Sequence, residues 1–529
     1  MKQRFMRKSE WLVVFLAFGW FATAASAQLA PGSKGEGASE AKVESKSDKK
    51  DEKPVTQSYK VRTVKTEGSV EIAGEAIHYT VETGTLAQAS DNGDEKADVF
   101  FIAYRRTDCE DATRPLTFAF NGGPGSSSVW LHLGMLGPKR IVLPDDATPL
   151  RPPFQLSENP LSLLDVTDLV FIDPVSTGYS RPAEKQDKSQ FHGYQEDVRS
   201  VSQFIHDWTT HYSRWESPKF LMGESYGGIR AAGLASYLQS RYNFELNGII
   251  IVSGAVNFQT LRFGEGNDLP YICFLPTYAA TAWYHGQLSE ELQALPVDRV
   301  VAQAESLALG GYADVLLQGA SARPKKVDEV VASLSRLTGL DEDYLRRSNL
   351  RVPMSSFGKE LMREEGRTIG RFDSRYKGID RDRVGESAEY DPSGSAIFGP
   401  FTSTMNQYLR EELKYEQPRV YEILTGNVQP WNYDSFTGRF VDATDSLRTA
   451  MTANPYLKLY VACGYYDLAT PHFAMKYTIN HLGLDESLQS NVTVSNFEGG
   501  HMMYIYQPSM ERLRDELVEW YSDADGIED

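Results

Sequence analysis

The sequence predicts an α/β protein whose mostly parallel central sheet is covered by helices on both faces, with one large inserted cap. Apolar runs suited to buried strands alternate with helical patterns between residues 115 and 252, the order typical of a parallel sheet. One apolar run ends in a tight turn around Ser225 and continues into a helix-favouring segment. The alternation stops after Gly254 and strand patterns return only after residue 456, so we expect an insertion between them.

The individual elements follow from local patterns. Apolar runs that predict the first buried strands cover residues 115–120, 169–172, 220–223 and 248–252. An amphipathic helix is indicated by apolar residues at helical spacing, namely Tyr194, Val198, Val201, Ile205 and Trp208. The runs 457–462 and 492–497 resume the sheet, and residues 513–521 predict a closing helix.

Short β-prone runs precede this core. They cover residues 61–64, 70–72, 77–81 and 99–104, and Gly68, Gly74 and Asn92-Gly93 punctuate them. Turn-forming residues between β-prone runs indicate antiparallel hairpins. We therefore expect hairpins that lead into the sheet.

The N-terminus has the pattern of a secretory signal peptide at residues 1–27. Four basic residues precede an apolar run at 11–25, and Ala25-Ser26-Ala27 is a small-residue cleavage pattern, so we expect cleavage before Gln28. Residues 28–56 contain almost no large apolar side chains and predict a disordered tether. We expect a secreted or periplasmic protein that keeps no stable membrane span after cleavage.

These patterns divide the chain into parts. After the signal peptide and tether, we place the first part of the core at 57–257, the cap insertion at 258–450 and the second part of the core at 451–529. The insertion has long polar, helix-prone pieces and an irregular stretch near 365–395, without a repeat.

Composition narrows the function classes. The 529 residues carry a formal charge of −18, which argues against nucleic acid as a partner. Only three cysteines occur, so an oxidising compartment permits one bridge with one thiol left over, and we assign them no function. No metal-binding pattern, phosphate loop or dinucleotide fingerprint stands out, and we expect no cofactor.

The turn around Ser225 carries the first chemical signal. Gly223-Glu-Ser-Tyr-Gly227 between a strand and a helix is the nucleophile elbow of α/β-hydrolases, in which a strained turn lifts the serine hydroxyl clear of the sheet. The alternative is a serine in an ordinary turn, because this short pattern also recurs by chance. The sequence therefore predicts an α/β-hydrolase fold only if the rest of the chain supplies partners for Ser225.

Two residues later in the chain match those partners. In this fold an acid and then a histidine follow the serine, each at the end of a strand. Asp467 follows the run 457–462, and His501 follows the run 492–497. Each has a structural alternative, a turn-capping aspartate and a surface histidine. Found together in this order, they predict a Ser225–Asp467–His501 triad.

A glycine-rich loop offers the oxyanion site. The tetrahedral intermediate needs one donor from the residue after the nucleophile, Tyr226, and another from a loop after an earlier strand. Asn121-Gly-Gly-Pro-Gly125 follows the run 115–120, and we favour the amide of Gly123. The alternative is an ordinary glycine turn.

Five motifs together resemble the serine carboxypeptidases, peptidase family S10, and specifically a bacterial-type secreted member. They begin at Asn121, Phe171, Gly223, Gly464 and Gly499, and the resemblance covers about residues 115–260 and 455–510. It implies the same triad and the same oxyanion donors. It also implies that Asn121, the amide of Gly122 and Glu224 bind the terminal carboxylate of the substrate. A protonated Glu224 can donate a hydrogen bond to that carboxylate, so we expect best activity in mild acid.

The chain departs from the family motifs at two positions. Ser126 stands where the family has a cysteine, so a disulfide common in eukaryotic members cannot form there. Met135 stands where the family commonly has a glutamate, so the second acidic partner of the carboxylate is missing or replaced. His132 is one candidate replacement, and packing or solvent exposure is the alternative for this histidine.

We therefore predict a serine-type carboxypeptidase that acts through an acyl-enzyme on peptides with a free C-terminus. The alternatives are an acyltransferase or esterase on the same scaffold, and a catalytically inactive peptide-binding protein. The sequence leaves the side-chain preference and the oligomeric state open.

Overall fold

The structure, a computed structural model, describes residues 60–109 and 113–524. The predicted signal peptide at 1–27 and the tether at 28–56 lie outside these ranges.

A ten-stranded sheet forms the centre of the fold. Its strands are β1 Val61–Ile72, β2 Glu75–Ala89, β3 Glu95–Arg106, β4 Leu116–Phe120, β5 Asp168–Ile172, β6 Arg181–Pro182, β7 Lys219–Glu224, β8 Gly248–Val252, β9 Lys458–Gly464 and β10 Val492–Phe497. The order across the sheet is β1-β2-β3-β5-β4-β7-β8-β9-β10, and β6 pairs with β3. The six strands β5-β4-β7-β8-β9-β10 pair in parallel, in that order across the sheet. The strands β1, β2 and β3 add an antiparallel edge.

The antiparallel edge consists of fewer and longer strands than the sequence pattern predicts. Gly74 and Gly93 lie in turns with positive φ, as expected. Gly68, by contrast, is wrong as a turn, because it lies inside β1 directly opposite Tyr79. A Cβ at Gly68 would lie 2.6 Å from the hydroxyl oxygen of Tyr79, so this glycine makes room for a ring across the strand pair.

Helices cover the sheet and make up much of the region 258–450. The α-helices of at least six residues are α1 Tyr194–His211, α2 Gly227–Tyr242, α3 Leu269–Tyr284, α4 Val297–Leu307, α5 Ala313–Gln318, α6 Pro324–Thr338, α7 Glu342–Arg347, α8 Met354–Glu360, α9 Pro392–Glu411, α10 Thr444–Ala453, α11 His472–Asn480 and α12 Gln507–Ala524. A short helix at Val129–Leu131 continues into a π-helical turn at His132–Leu136.

Both faces of the inner parallel strands are buried. Ile249 and Ile251 of β8 belong to a hydrophobic cluster shared with α1 and α2, whereas Ile250 belongs to a second cluster shared with α12. Successive side chains of a strand point to opposite faces, so a continuous apolar strand needs cover on both sides. The α/β-hydrolase class predicted from the sequence is therefore confirmed.

The region 258–450 contains a separate hydrophobic cluster built around α3, α4, α6 and α8. In it the rings of Tyr278 and Phe357 stack with centroids 3.9 Å apart. The later helices of this region contact the sheet instead, since Phe401 of α9 and Leu447 of α10 join the two core clusters. The division at residues 258 and 450 stays a prediction.

One helical stretch in the described ranges, Val297–Ser321, is long and apolar enough to cross a membrane by length and composition, and 39% of its most apolar window is buried. The stretch is not a continuous helix, because Gly310 interrupts it with non-helical backbone angles. Val300 and Ala304 pack into the cluster of the insertion. These contacts fit a helix of a folded domain.

The three cysteines all lie in described ranges and are unpaired thiols. Cys273 and Cys463 are buried, and Cys109 is exposed. Burial raises the pKa of both internal thiols, which therefore remain protonated and apolar in character.

Candidate active site

The turn after β7 has the geometry of a nucleophile elbow. Ser225 has a φ of +63°, a left-handed conformation that is unusual for a residue other than glycine. Its amide donates to the carbonyl of Val252 at 3.1 Å, and its carbonyl accepts from the amides of Gly228 at 2.9 Å and Ala255 at 3.1 Å. A Cβ at Gly223 would collide with the carbonyl of Gly227, so the glycines permit the close approach of strand and helix.

Asp467 and His501 meet at the same edge of the sheet. Asp467 follows β9 and His501 follows β10, and both strands run parallel to β7. Nδ1 of His501 donates to Oδ2 of Asp467 at 2.8 Å, and both side chains are buried. The other oxygen of Asp467 accepts from the amides of Ala469 at 2.7 Å and Thr470 at 3.0 Å, which fixes the carboxylate.

Opposing effects act on the pKa of His501. Burial disfavours the charged imidazolium, but the carboxylates of Asp467 and Glu224 favour it more strongly, so the pKa of His501 is raised above its ordinary value. Arg371 opposes this rise through its positive charge. The arrangement stabilises the imidazolium that forms when a histidine accepts a proton from a serine.

The residue that precedes Ser225 lies close to the pair of Asp467 and His501. Glu224, the residue before Ser225, is close enough to His501 for each to affect the pKa of the other. Within the described ranges no hydrogen bond joins the Ser225 hydroxyl to the imidazole. Such bonds are often long in free enzymes. The triad assignment of these three residues stays a prediction.

The predicted oxyanion loop lies against the elbow. A Cβ at Gly122 would collide with the amide nitrogen of Tyr226, so the loop crosses directly over that amide. Gly123 has a φ of +104°, which only glycine adopts readily. In the described part of the chain no backbone carbonyl accepts from the amides of Gly122, Gly123 or Tyr226. These three amides therefore have no backbone partner among the described residues.

Glu224 is a buried carboxyl group next to this loop. Burial raises its pKa to about 7, although His501, Tyr504 and Asn121 each favour the ionised form. Asn121 is also buried, and its Oδ1 accepts from the amide of Leu131 at 3.1 Å. Its Nδ2 makes no hydrogen bond of good geometry among the described residues, although it lies near enough to Glu224 to affect that pKa. A buried amide donor and a carboxyl group that holds its proton below neutral pH thus lie side by side.

Comparison with known proteins agrees with this geometry. The family model described as serine carboxypeptidase matches residues 79–504. The chain belongs to the serine carboxypeptidase family.

Individual relatives match shorter segments. Serine carboxypeptidase-like 44 of Arabidopsis thaliana is 27% identical over 205 residues, which are 36% of this chain and 37% of the relative. The pheromone-processing carboxypeptidase KEX1 of Yarrowia lipolytica is 31% identical over 213 residues, 39% of this chain and 30% of the relative. Among solved structures, the proline iminopeptidase of Mycobacterium smegmatis is 14% identical with a TM-score of 0.37, covering 84% of this chain and 98% of that one.

Hydrogen bonds of Ser126 anchor the predicted oxyanion loop to the segment around Ile423. Ser126 stands where the serine carboxypeptidase motif has a cysteine. The Ser126 hydroxyl donates to the carbonyls of Ser127 at 2.9 Å and Ile423 at 3.2 Å, and it accepts from Nε1 of Trp130 at 2.8 Å. The amides of Ser127 and Thr425 complete the contact between the two segments. A short antiparallel pairing between Ser126 and Leu424 thus holds the two segments together.

His132 does not replace the missing acid of the family motif. It is buried, stacks on Phe171 with centroids 4.3 Å apart and bonds to the Tyr104 hydroxyl at 2.7 Å. Burial lowers the pKa of His132 to about 3, so it stays neutral. The packing alternative is therefore correct, and Met135 is likewise a buried apolar residue.

Sequence reasoning missed three contributors to the site. The hydroxyl of Thr470 lies 2.7 Å from Oδ2 of Asp467 and 3.1 Å from Nδ1 of His501. The hydroxyl of Tyr504 bonds to Glu224. Proximity to Asp467 and His501 in sequence was the only signal for both residues.

The third contributor is residues 371–374, in the predicted cap region, which contact the loops of Asp467 and His501. The carbonyl of Arg371 accepts from the amide of Leu468 at 3.1 Å, and the amide of Ser374 donates to the backbone carbonyl of Tyr466 at 2.9 Å. The carbonyl of Phe372 accepts from the amide of His501 itself, and the two rings lie 5.4 Å apart. This segment therefore holds the loops of both Asp467 and His501.

Proposed function

We propose that this chain is a serine-type carboxypeptidase that releases C-terminal amino acids from peptides through an acyl-enzyme. The observation that carries the proposal is the buried Glu224 beside Ser225, with a pKa raised to about 7 and the amide of Asn121 next to it. The chain spans less than half the length of the curated relatives it matches, so this activity rests on the site.

The reaction assigns a role to each residue. The Ser225 hydroxyl attacks the carbonyl carbon of the last peptide bond while His501 accepts its proton. Asp467 holds the imidazole in the tautomer that receives this proton at Nε2, because it bonds to the hydrogen on Nδ1. The free amides of Gly123 and Tyr226 donate to the oxyanion. His501 then protonates the departing amino group. Water next attacks the acyl ester while His501 accepts its proton and returns a proton to the oxygen of Ser225.

The remaining site residues are proposed to recognise the C-terminus of the peptide substrate. Asn121, the amide of Gly122 and protonated Glu224 are the proposed donors to the terminal carboxylate of the substrate. Donors confined to one side of Ser225 would place the last peptide bond, and no other, at the nucleophile. The substrates are therefore peptides with a free C-terminus.

We also propose that the protein is exported and acts outside the cytoplasm, which rests on the signal-peptide pattern of residues 1–27. Fractionation of cells that express the full chain tests this. A product that stays in the cytoplasm at its full length would contradict export.

Labelling with a fluorophosphonate tests the nucleophile. The wild-type protein should label stoichiometrically, and Ser225→Ala should not label, because an activated serine is required. Ser189→Ala, an exposed serine in a surface turn, provides the matched control and should label like the wild type. Failure of the wild type to label would favour the inactive peptide-binding alternative.

Three substrates separate the enzyme alternatives. A blocked dipeptide with a free carboxyl end should be turned over faster than its amide and than a simple ester without a carboxylate. Equal or better turnover of the amide and ester would support the esterase or acyltransferase alternative and would refute the carboxypeptidase.

A further inference from the structure

The Tyr504 hydroxyl bonds to Oε2 of Glu224 at 2.5 Å, and both side chains are buried. Tyr504 belongs to a short turn at Met503–Ile505, directly after the loop of His501. In the described part of the chain this hydroxyl makes no other side-chain hydrogen bond. The phenol therefore serves Glu224 alone.

The surrounding backbone is shaped to admit this ring. A Cβ at Gly134 would lie 2.5 Å from Cε2 of Tyr504, which is closer than non-bonded carbons approach. Gly134 precedes Met135, the buried apolar residue that stands where an acidic group is expected. The π-helical turn His132–Leu136 thus supplies space for a phenol and no carboxyl group.

We propose that Tyr504 is a positioning residue for recognition of the substrate carboxylate, because its hydroxyl holds Glu224 in place of a second acidic side chain. This inference rests on the function proposed for Glu224. A phenol that donates to Oε2 makes this oxygen the acceptor of the carboxyl group, and the proton of Glu224 then resides on Oε1. Oε1 is thereby the oxygen that donates to the incoming carboxylate.

Tyr504 differs from a carboxyl group in its protonation. Burial, followed by the charge of Glu224, raises the pKa of Tyr504 well above its ordinary value, so the phenol keeps its proton at every working pH. Two carboxyl groups in contact would share a proton and titrate as a pair. A site with one carboxyl group and one phenol should show a single ionisation, that of Glu224.

The other charged groups near Glu224 are accounted for. His501 and Asp467 both act on its pKa, and they are bonded to each other. Arg230 on α2 lies behind the loop of Asn121, but it is paired with Asp197 at 2.7 Å. His132 in the adjacent π-helical turn is neutral. Tyr504 and Asn121 are therefore the neutral groups that act on the ionisation of Glu224, and of the two only Tyr504 has no proposed contact with the substrate.

The test is Tyr504→Phe, with a blocked dipeptide carrying a free carboxyl end and the matching ester without a carboxylate. For the free acid, KM at pH 5.5 should rise about tenfold, the size expected for loss of one strong hydrogen bond. The Tyr504 hydroxyl favours ionised Glu224, so its removal should raise the pKa of Glu224. The pH above which KM for the free acid rises should therefore be higher in the variant. For the ester, KM, kcat and the rate of fluorophosphonate labelling should stay within about twofold of the wild type. The control is Tyr521→Phe, which removes a buried hydroxyl bonded to Thr117 at 2.8 Å and should leave KM and kcat unchanged for both substrates.

Further variants exclude a merely structural effect. In a Glu224→Gln background, Tyr504→Phe should no longer move the pH dependence, because it acts through Glu224. Gly134→Ala displaces the ring without removing the hydroxyl and should reproduce the loss for the free acid, which keeps the test valid if Tyr504→Phe fails to fold.

The outcomes are distinguishable. An unchanged KM and pH profile in Tyr504→Phe, or equal losses for acid and ester, would overturn the role of Tyr504. A wild-type protein without Ser225-dependent turnover would overturn the proposed function itself.

Discussion

Nε of Arg230 donates to Oδ2 of Asp197 at 2.7 Å, and this ion pair is buried between helices α1 and α2. A second nitrogen of Arg230 donates to the backbone carbonyl of Asn121. Burial raises the pKa of Asp197, and the guanidinium opposes that rise. The pair therefore supports the predicted oxyanion loop from inside the protein, where loss of one partner leaves the other charge unpaired.

Asp197→Ala should lower the free energy of unfolding by about 3–5 kcal/mol, because it strands the buried guanidinium. Chemical denaturation measures this. The matched control is Asp328→Ala, which breaks an exposed pair with Arg346 at 2.7 Å and should cost less than about 1 kcal/mol. Equal costs for the two substitutions would show that burial does not determine the strength of this contact.

Asp467→Asn should reduce kcat by about 10⁴-fold with little change in KM, because an amide at this position favours the wrong tautomer of His501. Steady-state kinetics with a blocked dipeptide measures both constants. Asp485→Asn is the control, since Asp485 is a turn-capping aspartate that accepts from the amide of Ser487 at 3.0 Å. A loss below tenfold in Asp467→Asn would contradict its place in the triad.

Glu224→Gln should remove the pH dependence of substrate binding. In the wild type Glu224 is protonated below its pKa of about 7 and ionised above it, so KM for a free-acid substrate should rise as the pH passes 7. Glutamine cannot ionise and should keep KM flat while preserving much of the activity near neutral pH. KM measured from pH 5 to 8.5 tests this, with an ester as the carboxylate-free control. A large loss at every pH would argue against a protonated carboxylate binder.

Arg371→Gln should move the acidic limb of kcat/KM to higher pH. The positive charge of Arg371 lowers the pKa of His501, so its removal raises that pKa, and His501 must be neutral to accept the serine proton. Because Arg371 is exposed, high salt should reduce the difference between variant and wild type. Arg381→Gln, an exposed cation paired with Glu389, should leave the profile in place. A shift to lower pH would contradict the assigned effect.

The sequence predicts the parallel part of the sheet closely, since β8 and β10 begin and end where their apolar runs do. Apolar runs of strand length make such elements readable, and the loops that follow neighbouring runs locate Ser225, Asp467 and His501. Gly68 was misread as a turn because a glycine that admits a ring from the opposite strand has the same local signal.

Tyr504 and residues 371–374 could not be read from the sequence for a different reason. Each acts through a contact between segments that are far apart in the chain. The contact of Tyr504 with Glu224 spans 280 residues, and no local pattern encodes such a pairing. Residues 371–374 lie in an irregular stretch without periodicity, so nothing marks them as neighbours of the histidine loop.

Backbone bonds of Arg371, Phe372 and Ser374 tie the region 258–450 to the loops of Asp467 and His501, the proposed acid and base. Displacement of this segment would remove the backbone partners of Tyr466, Leu468 and His501. We expect a chain trimmed to its sheet and covering helices to lose these contacts and the proposed activity with them. Chimeras that exchange the region 258–450 to change substrate range should retain this short segment, which supplies backbone partners to both loops and the Arg371 charge that acts on His501.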